Sequence, residues 1–315
     1  MLLSVVIPCY NEEENVQLFY DTIVHVFGQL MENTELIFVN DGSEDRTYTY
    51  LKQIHEESPY QVKVVSFSRN FGKEAALLAG LEHAKGDLTA IIDADLQQRP
   101  EYILEMMDIL NKHPEYDAVA AYQEERKEGK VLAFFKNCFY KIINGITKME
   151  MVRSASDFRL LKRNVVDAIC ALPEKCRFSK GIFSWVGFNT YYMPYTVEER
   201  AHGTTKWSFW KLFIYAIDGI VAFSTTPLTV SSLLGILLCI FSGILMMIII
   251  VKTLIWGDPV AGFPTLASII LFTSGIQLLC TGIIGQYLAR NYTETKNRPV
   301  YIVKDLLDSE KNKEK

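Results

Sequence analysis

Residues 88–97 read LTAIIDADLQ, a short apolar run that leads directly into two carboxylates, Asp93 and Asp95. A run of this length and composition is typical of a buried β-strand. Four similar runs occur in the first part of the chain: residues 3–7, 35–39, 62–67 and 118–121. Segments with a helical pattern separate the runs: residues 15–30, 45–57, 72–85 and 101–112. This alternation predicts an α/β fold, a Rossmann-like and mostly parallel sheet with helices on both faces.

Three further elements are expected after residue 121. An amphipathic helix is predicted over residues 131–146, and another helix over 163–172, just before a proline. Residues 188–195 have a hairpin-like pattern and lead to the charged segment at 198–200. We therefore expect a soluble domain over residues 1–205.

The composition of the chain excludes some classes of protein. Its 315 residues allow about two structural units. The formal net charge of -5 argues against nucleic acid as the main partner, because phosphate binding needs a basic surface. The six cysteines show no CxxC or metal-ligand spacing, so we expect them to be reduced. The N-terminus has no basic segment and becomes acidic by residue 12, so it does not read as a signal peptide, and the soluble domain is expected in the cytoplasm.

The last third of the chain has the pattern of a membrane protein. Residues 206–225 are rich in aromatic residues and predict a helix in the membrane interface. Residues 226–289 predict two transmembrane helices, 227–251 and 263–288; the first has 25 uncharged residues, about 37 Å of helix. Basic residues lie outside both helices: Lys206, Lys211, Arg290, Lys296, Arg298 and Lys304. This distribution predicts a multi-pass protein of the plasma membrane with cytoplasmic termini and a cytoplasmic tail over 290–315.

Polar clusters follow four of the predicted strands. They are Pro-Cys-Tyr-Asn-Glu at 8–12, Asn-Asp-Gly-Ser at 40–43, Ser-Arg-Asn at 68–70 and Asp-Ala-Asp at 93–95. The carboxyl ends of the strands in an open α/β sheet form the usual ligand site. Because neither a GxGxxG nor a GxxxxGK motif occurs, a nucleotide would be held by other means. The four clusters together favour a ligand at this edge.

Two carboxylates and an amide form a candidate metal site. Asp95, with Asp93 and Gln97, can supply the oxygen ligands that Mg²⁺ or Mn²⁺ prefers, against a diphosphate. Such a metal would stabilise negative charge on a leaving diphosphate. The alternative is ordinary turn chemistry, since aspartate pairs are common after strands.

Candidate nucleoside contacts lie at the first two strand ends. Asp41 can accept a hydrogen bond from a base N–H, or it can simply form an Asx-turn. Pro8, Tyr10 and Glu12 can hold base and ribose, or the polar residues there can cap the following helix.

Candidate acceptor contacts lie later in the soluble domain. A basic segment that leads into the predicted amphipathic helix suits a lipid phosphate near the membrane surface, or forms a solvated face; it contains Arg126, Lys127, Lys130 and Lys136. Asp157 and Arg159 can face sugar and phosphate respectively while Phe158 packs inward; the alternative is an ordinary surface ion pair beside a core strand. A phosphomonoester is largely anionic near neutral pH and can attack without a strong base, so positioning matters most.

Nearly the whole chain resembles the polyprenyl-phosphate glycosyltransferases of glycosyltransferase family 2, relatives of dolichyl-phosphate mannose synthase and bactoprenol glucosyltransferases. The matching segments are residues 6–12, 39–43, 68–73, 93–97, 157–160 and 200–207. The resemblance implies a GT-A catalytic domain that holds a nucleotide sugar, with a divalent metal at Asp93, Asp95 and Gln97. It also implies nucleotide-sugar contacts from these residues: Pro8, Tyr10, Glu12, Asp41, Lys73, Asp93 and Arg200.

The same resemblance implies roles for further residues and a stereochemical outcome. Arg200 would clamp the diphosphate, and Arg126, Lys136 and Arg159 would hold the acceptor phosphate. Asp157, Asp95 and Arg200 would form the catalytic group, and transfer would proceed with inversion. A tetramer is the expected assembly. Two positions depart from the family pattern, Asn40 and Gln98, where aspartate is frequent; the first is expected to be tolerated because Asp41 remains.

These observations predict an enzyme that moves a hexose, with UDP-glucose as first choice, onto undecaprenyl phosphate. UDP-galactose, UDP-N-acetylglucosamine and GDP-mannose stay open as donors. A processive polysaccharide synthase is the first alternative, but the chain lacks the Gln-x-x-Arg-Trp motif and has two predicted spans rather than a channel. A non-catalytic membrane scaffold is the second alternative, and it predicts a damaged metal site, whereas Asp93 and Asp95 are both intact.

Overall fold

The computed structural model describes residues 2–123, 155–196, 224–256 and 262–308. These residues divide into two compact units. The sheet unit contains residues 2–123, 155–196 and 298–308, and the helix-pair unit contains 224–256 and 262–297. The predicted helix over 131–146 lies outside the described residues, as do most of the predicted interfacial helix over 206–225 and three candidate site residues: Arg126, Lys136 and Arg200.

Strands and helices alternate through the sheet unit as predicted. The strands are β1 (Leu3–Cys9), β2 (Thr34–Asn40), β3 (Gln61–Phe67), β4 (Leu88–Ile91), β5 (Ala118–Gln123), β6 (Ala155–Lys162), β7 (Thr190–Tyr195) and β8 (Val303–Asp308). The helices are α1 (Val16–Phe27), α2 (Thr47–Glu57), α3 (Lys73–His83), α4 (Glu101–Lys112), α5 (Arg163–Cys170) and α6 (Ser179–Trp185). A short 3₁₀ helix, Gly28–Asn33, precedes β2.

The eight strands form one sheet in the order β7-β5-β6-β4-β1-β2-β3-β8. The centre of the sheet is parallel, since β1 pairs with β2 and β4, and β2 pairs with β3. Strands β6 and β8 run antiparallel to their neighbours, and β7 runs parallel to β5. Residue Leu3 is in register with both Thr34 and Leu88, so β1, β2 and β4 end at the same edge. The predicted polar clusters therefore meet there.

Apolar side chains explain why the sheet is stable. Strands β1 and β2 are buried along almost their whole length, as parallel strands covered on both faces must be. Phe19 of α1 packs edge-on against Phe38 of β2, with ring centroids 6.3 Å apart. Phe158 has no exposed surface, which confirms that it packs inward. This rigid core fixes the positions of the strand ends.

Two parts of the sheet differ from the sequence-based expectation. Residues 188–195 do not form a hairpin; they contribute the single strand β7, which pairs in parallel with β5. Residues 303–308 were expected in a tail but form β8 at the edge of the sheet, paired with β3. The pattern missed β8 because its alternation is short and its partner strand lies more than 200 residues away in sequence.

The helix-pair unit consists of α7 (Thr226–Trp256) and α8 (Phe263–Thr295). Among the described residues, one helical segment, Thr226–Leu245, is long and apolar enough to cross a membrane. The hydroxyl of Tyr287, in the second half of α8, donates to the carbonyl oxygen of Ser224, just before α7. Leu233 and Leu278 illustrate the many exposed apolar side chains, at 55% and 73% exposure. The second transmembrane helix stays a prediction.

Candidate active site at the carboxyl ends of the strands

The loops after β1 and β2 are joined by side-chain hydrogen bonds. Asn11 adopts the left-handed conformation (φ 55°), which asparagine tolerates better than most residues. Its backbone N–H donates to Ser43 Oγ (3.0 Å), and its Oδ1 accepts from the N–H of Glu44 (2.9 Å). The neighbouring Tyr10 side chain is 41% exposed. The ring of Tyr10 is therefore presented at the sheet edge on a braced loop.

Glu12 contacts the residues at the starts of two helices, and Pro8 lies within a strand. The carboxylate of Glu12 accepts a hydrogen bond from Asn15 Nδ2 (2.6 Å), and the backbone N–H of Glu12 donates to Thr47 Oγ1 (2.8 Å). Pro8 lies within β1, opposite Val39. These contacts tie Glu12 to the start of α1 and to Thr47 at the start of α2, and the predicted base and ribose contacts stay predictions.

Asp41 joins the end of β2 to the loop after β3. Its carboxylate accepts from the backbone N–H of Phe71 (2.7 Å) and of Gly72 (2.9 Å), and only 4% of the residue is exposed. Burial raises the pKa of Asp41, and the two backbone hydrogen bonds oppose that rise. Asp41 therefore holds the loop of residues 68–72 in place, and its predicted contact with a nucleotide base stays a prediction.

A close approach at Gly42 completes this junction. Gly42 has a φ of 62°, and a Cβ at this position would lie 2.2 Å from the carbonyl carbon of Arg69. Only glycine allows both the conformation and the contact. The end of β2 and the 68–72 loop are thus packed backbone to backbone.

Lys73, the first residue of α3, reaches across the sheet edge to two carboxylates. Its Nζ lies 2.8 Å from Asp93 Oδ1, at the end of β4, and 3.2 Å from Asp157 Oδ2, in β6. The lysine side chain is 45% exposed, and those of Asp93 and Asp157 are 29% and 19% exposed. The start of α3, the loop after β4 and the first residues of β6 therefore contribute to one charged cluster that is open to a ligand.

The charges in this cluster support each other. Burial favours the neutral form of Lys73, but the carboxylates of Asp93 and Asp157 outweigh it and raise the pKa of Lys73. Burial acts to raise the pKa of Asp157, yet the positive charges of Lys73, Lys180 and Arg159 lower it below its usual value. Lys73 and Asp157 are therefore both charged at neutral pH.

The loop after Asp93 is closed by the side chain of Gln98. Gln98 Oε1 accepts from the N–H of Asp93 (3.1 Å), and its Nε2 lies 3.4 Å from Ser156 Oγ. Within the loop, Asp95 Oδ1 accepts from the N–H of Gln97 (3.1 Å). Gln98 is 6% exposed, so it ties this loop to β6 from the inside. The departure from the family pattern at Gln98 is thus accommodated by an amide that both donates and accepts.

The predicted metal ligands fit a hard divalent cation in their chemistry. Asp93, Asp95 and Gln97 offer carboxylate and amide oxygens within five residues of one loop. No group of three or more His, Cys, Asp or Glu side chains with metal-binding geometry occurs among the described residues. Mg²⁺ and Mn²⁺ sites commonly use one or two carboxylates and take their other ligands from water and substrate phosphate. The loop suits a site of that kind, completed by a ligand.

Arg159 lies behind Asp157 on the same face of β6. Its Nη2 donates to the carbonyl oxygen of Ser156 (2.7 Å), and its guanidinium carbon lies 3.5 Å from the centre of the Phe183 ring. The residue is 6% exposed, and its Nε has no hydrogen-bond partner. Burial lowers the pKa of Arg159 to about 10, so the side chain stays charged at neutral pH. Its predicted contact with an acceptor phosphate stays a prediction.

A second junction, which no sequence pattern predicts, joins α6 to α3 beside the cluster. Ser179, at the start of α6, donates from its N–H to Glu74 Oε2 (2.8 Å) and from its hydroxyl to the same oxygen. Burial raises the pKa of Glu74, and the bonds from Ser179 oppose the rise. Because 105 residues separate the two, no local motif reveals the pair. The contact places α6, which carries Lys180 and Phe183, beside Asp157 and Arg159.

Comparison with known structures agrees with this architecture. Glucosyl-3-phosphoglycerate synthase from Mycobacterium tuberculosis, solved with Mn²⁺, UDP and phosphoglyceric acid, has a TM-score of 0.50 and 19% identity. The match covers 70% of this chain and 76% of that protein. At this identity the likeness shows the fold alone. The sheet unit is a GT-A-like α/β domain with its charged cluster at the ligand edge.

Sequence comparison identifies the family. Residues 4–170 match glycosyl transferase family 2, and the chain belongs to that family of glycosyltransferases. An uncharacterized glycosyltransferase of Synechocystis sp. is 44% identical over 96% of this chain and 95% of its own length. The SfII prophage-derived bactoprenol glucosyl transferase of Shigella flexneri is 41% identical over 96% and 98%. The prophage bactoprenol glucosyl transferase homolog of Escherichia coli is 40% identical over 96% and 99%.

Proposed function

We propose that the protein transfers glucose from UDP-glucose to a polyprenyl phosphate such as undecaprenyl phosphate. The observation that carries the proposal is the cluster in which Lys73 joins Asp93, on the predicted metal loop, to Asp157 of β6. Near-full-length relatives named bactoprenol glucosyl transferase support the choice of sugar and acceptor. Intact carboxylates at Asp93 and Asp95 favour an enzyme over a non-catalytic scaffold.

The donor is held by the edge formed by β1, β2 and β4. Tyr10 presents a partly exposed ring for the base, with Pro8, Glu12 and Asp41 around the nucleoside. Asp93, Asp95 and Gln97 would hold Mg²⁺ or Mn²⁺ against the diphosphate. When bound, the metal supplies positive charge for the leaving group. The ammonium of Lys73 adds a second positive charge on the same side.

The transfer step is a single displacement. An oxygen of the acceptor phosphate forms a bond to the anomeric carbon while the bond from that carbon to the diphosphate oxygen breaks. The electron pair leaves with the diphosphate as UDP, and no proton transfer is needed because the acceptor oxygen is already anionic. One displacement inverts the configuration at the anomeric carbon.

Asp157 orients the reactants for this displacement. Its carboxylate is ionised and held by Lys73 at 3.2 Å, so it stabilises positive charge that develops at the anomeric carbon. The positive charge of Arg159 also helps to keep Asp157 ionised, and we assign Arg159 the acceptor-phosphate contact as part of the proposal. Arg126, Lys136 and Arg200 complete the proposed phosphate contacts, Arg200 on the diphosphate and the others on the acceptor.

The helix-pair unit would hold the protein in the membrane that contains the lipid acceptor. We propose that α7 and α8 both span the bilayer and that the sheet unit lies on the cytoplasmic side. The apolar segment Thr226–Leu245 and the uncharged run over 263–288 support this arrangement. Small residues in both helices, including Gly235 and Gly282, permit close helix contacts, so a homo-oligomer such as a tetramer is proposed.

A donor screen with the purified full-length protein tests the proposal. Undecaprenyl phosphate and Mn²⁺ are supplied with UDP-glucose, UDP-galactose, UDP-N-acetylglucosamine or GDP-mannose, and nucleotide release is measured with and without the lipid. We expect lipid-dependent release of UDP from UDP-glucose at the highest rate. Faster nucleotide release from another donor would refute the choice of sugar. Nucleotide release at the same rate with and without undecaprenyl phosphate would refute the choice of acceptor.

A further inference from the structure

Strand β8 continues its pairing beyond the end of β3. The two strands pair antiparallel from Lys63 opposite Asp308 to Phe67 opposite Val303. One residue further on, the N–H of Ser68 donates to the carbonyl oxygen of Ile302 (3.0 Å). The C-terminal segment therefore reaches the first residue of the 68–72 loop, which is the loop that Asp41 holds.

Tyr301 contacts the base of this loop through its ring. The ring stacks on Phe67, with centroids 4.9 Å apart and planes 18° apart. Phe67 in turn meets Phe71 edge-on at 5.8 Å. The hydroxyl of Tyr301 donates to the carboxylate of Glu82 in α3. Tyr301 is thus connected both to the start of the loop and to the helix that follows it.

The loop transmits these contacts to the candidate active site. The N–H groups of Phe71 and Gly72 are the two donors that Asp41 accepts. The next residue is Lys73, whose Nζ contacts Asp93 and Asp157. A shift of the loop would therefore break the Asp41 hydrogen bonds and move the lysine together.

We propose that Tyr301 is a positioning residue for the nucleotide-sugar site. The segment that follows both long helices holds the 68–72 loop in the conformation that places Asp41 and Lys73. This inference rests on the proposed function, which supplies the nucleotide sugar as the ligand. It makes Tyr301 important for binding of that donor. Tyr301 itself does not touch the reacting atoms.

A purely structural role for β8 predicts a different result. An edge strand can simply cover the open edge of a sheet and stabilise it. In that case the loss of apolar packing at Tyr301, two residues before β8, and a similar loss within β8 would act alike. Leu307 offers the matched control, because it packs against the core opposite Val64, at the far end of the pairing from the loop.

The experiment compares three variants of the full-length protein in detergent: Tyr301→Ala, Tyr301→Phe and Leu307→Ala. Binding of UDP with Mn²⁺ is measured by calorimetry, and amide hydrogen exchange of Phe71 and Gly72 is measured without nucleotide. We expect Tyr301→Ala to weaken UDP binding about tenfold and to speed exchange at both amides, because it loses the aromatic stack. Tyr301→Phe should bind UDP within about twofold of the wild type, since it keeps the ring.

The control separates positioning from stability. Leu307→Ala should lower the unfolding temperature but leave UDP affinity and the two amides as in the wild type. Wild-type affinity and exchange in Tyr301→Ala, or equal losses in Leu307→Ala, would overturn the inference. If the wild type binds no UDP but Tyr301→Ala alone still speeds exchange at Phe71 and Gly72, the positioning role stands and the proposed donor fails.

Discussion

The Nζ of Lys73 lies 2.8 Å from Asp93 Oδ1. This ion pair joins the first residue of α3 to the loop that follows β4. The same ammonium lies 3.2 Å from Asp157 Oδ2. Without the lysine, Asp93 and Asp157 would lose the one ammonium that they share, and Asp157 would keep only the more distant charges of Lys180 and Arg159. Lys73 therefore holds together the proposed donor side and the proposed catalytic carboxylate.

Lys73→Met tests this relationship. The variant keeps most of the side-chain length but removes the charge, so Asp93 and Asp157 repel and lose their shared position. We expect turnover to fall roughly 10²-fold, a typical loss for one electrostatic contact in an active site. Lys52→Met is the control, because Lys52 pairs with Glu56 on the exposed face of α2, 3.8 Å away. A rate for Lys73→Met equal to that of Lys52→Met would contradict the account.

Gly42→Ala and Gly28→Ala form a matched pair for the junction between β2 and the 68–72 loop. Both glycines have positive φ, 62° and 51°, but a Cβ at Gly28 meets nothing within 4 Å, whereas at Gly42 it meets Arg69. Gly28 also has a ψ of −120°, outside the left-handed helical region, so we expect Gly28→Ala to lower the free energy of unfolding by about 1–3 kcal/mol through backbone strain alone. Gly42→Ala should cost about 2–5 kcal/mol and also weaken UDP binding. Chemical denaturation measures the free energy of unfolding, and calorimetry measures UDP binding. Equal losses of stability in the two variants would show that the backbone contact between Gly42 and Arg69 is not tight.

The pH dependence of the reaction follows from the charge of Asp157. Burial opposes ionisation, but Lys73, Lys180 and Arg159 lower the pKa of Asp157, so it stays ionised from pH 5 to 8. Its folded pKa is below the unfolded value of about 3.9, so its stabilising contribution is present above that pH and is lost as pH falls through the folded pKa. The acid limb of the rate should instead lie near the acceptor's second phosphate pKa, about 6.

Asp157→Asn provides the check on this assignment. The variant should lower the rate at every pH but leave the acid limb at the same pH as in the wild type. The measurement is kcat/KM for the lipid between pH 5 and 8. Disappearance of the limb in Asp157→Asn would mean that Asp157, not the acceptor, titrates in the reaction.

The proposed metal loop makes a prediction that does not depend on turnover. Asp95→Asn replaces a carboxylate oxygen by an amide, so we expect binding of Mn²⁺ in the presence of UDP to weaken about tenfold or more. Electron paramagnetic resonance of free Mn²⁺ measures this directly. Asp108→Asn is the control, because Asp108 pairs with Lys112 on the exposed side of α4. Unchanged Mn²⁺ binding in Asp95→Asn would remove Asp95 from the site.

Local patterns were enough to predict the central strands and the edge where their ends meet. The apolar runs before Asp41 and Asp93 are each long enough for one buried strand, and parallel strands bring their carboxyl ends together. The contacts made inside that edge were not predictable. The carboxylate of Asp41 binds two backbone N–H groups 30 residues away, a choice that depends on how the 68–72 loop folds.

Contacts between distant segments could not be predicted from the sequence for the same reason. The pairing of β8 with β3 and the bond from Ser179 to Glu74 join parts of the chain that no local periodicity relates. Residues 188–195 carried turn-like features, but their pairing with β5 was decided by the neighbouring strands. Such partners become visible only in the folded chain.

The proposed transfer of glucose to a polyprenyl phosphate depends on Asp157 and on a divalent metal. The most direct measurement uses membranes that contain the full-length protein, incubated with radiolabelled UDP-glucose and Mn²⁺, followed by organic extraction. We expect label in a lipid product that depends on added undecaprenyl phosphate, is abolished by EDTA and falls at least about 10²-fold in Asp157→Asn. Absence of labelled lipid with active donor, metal and acceptor, or equal labelling by Asp157→Asn, would contradict it.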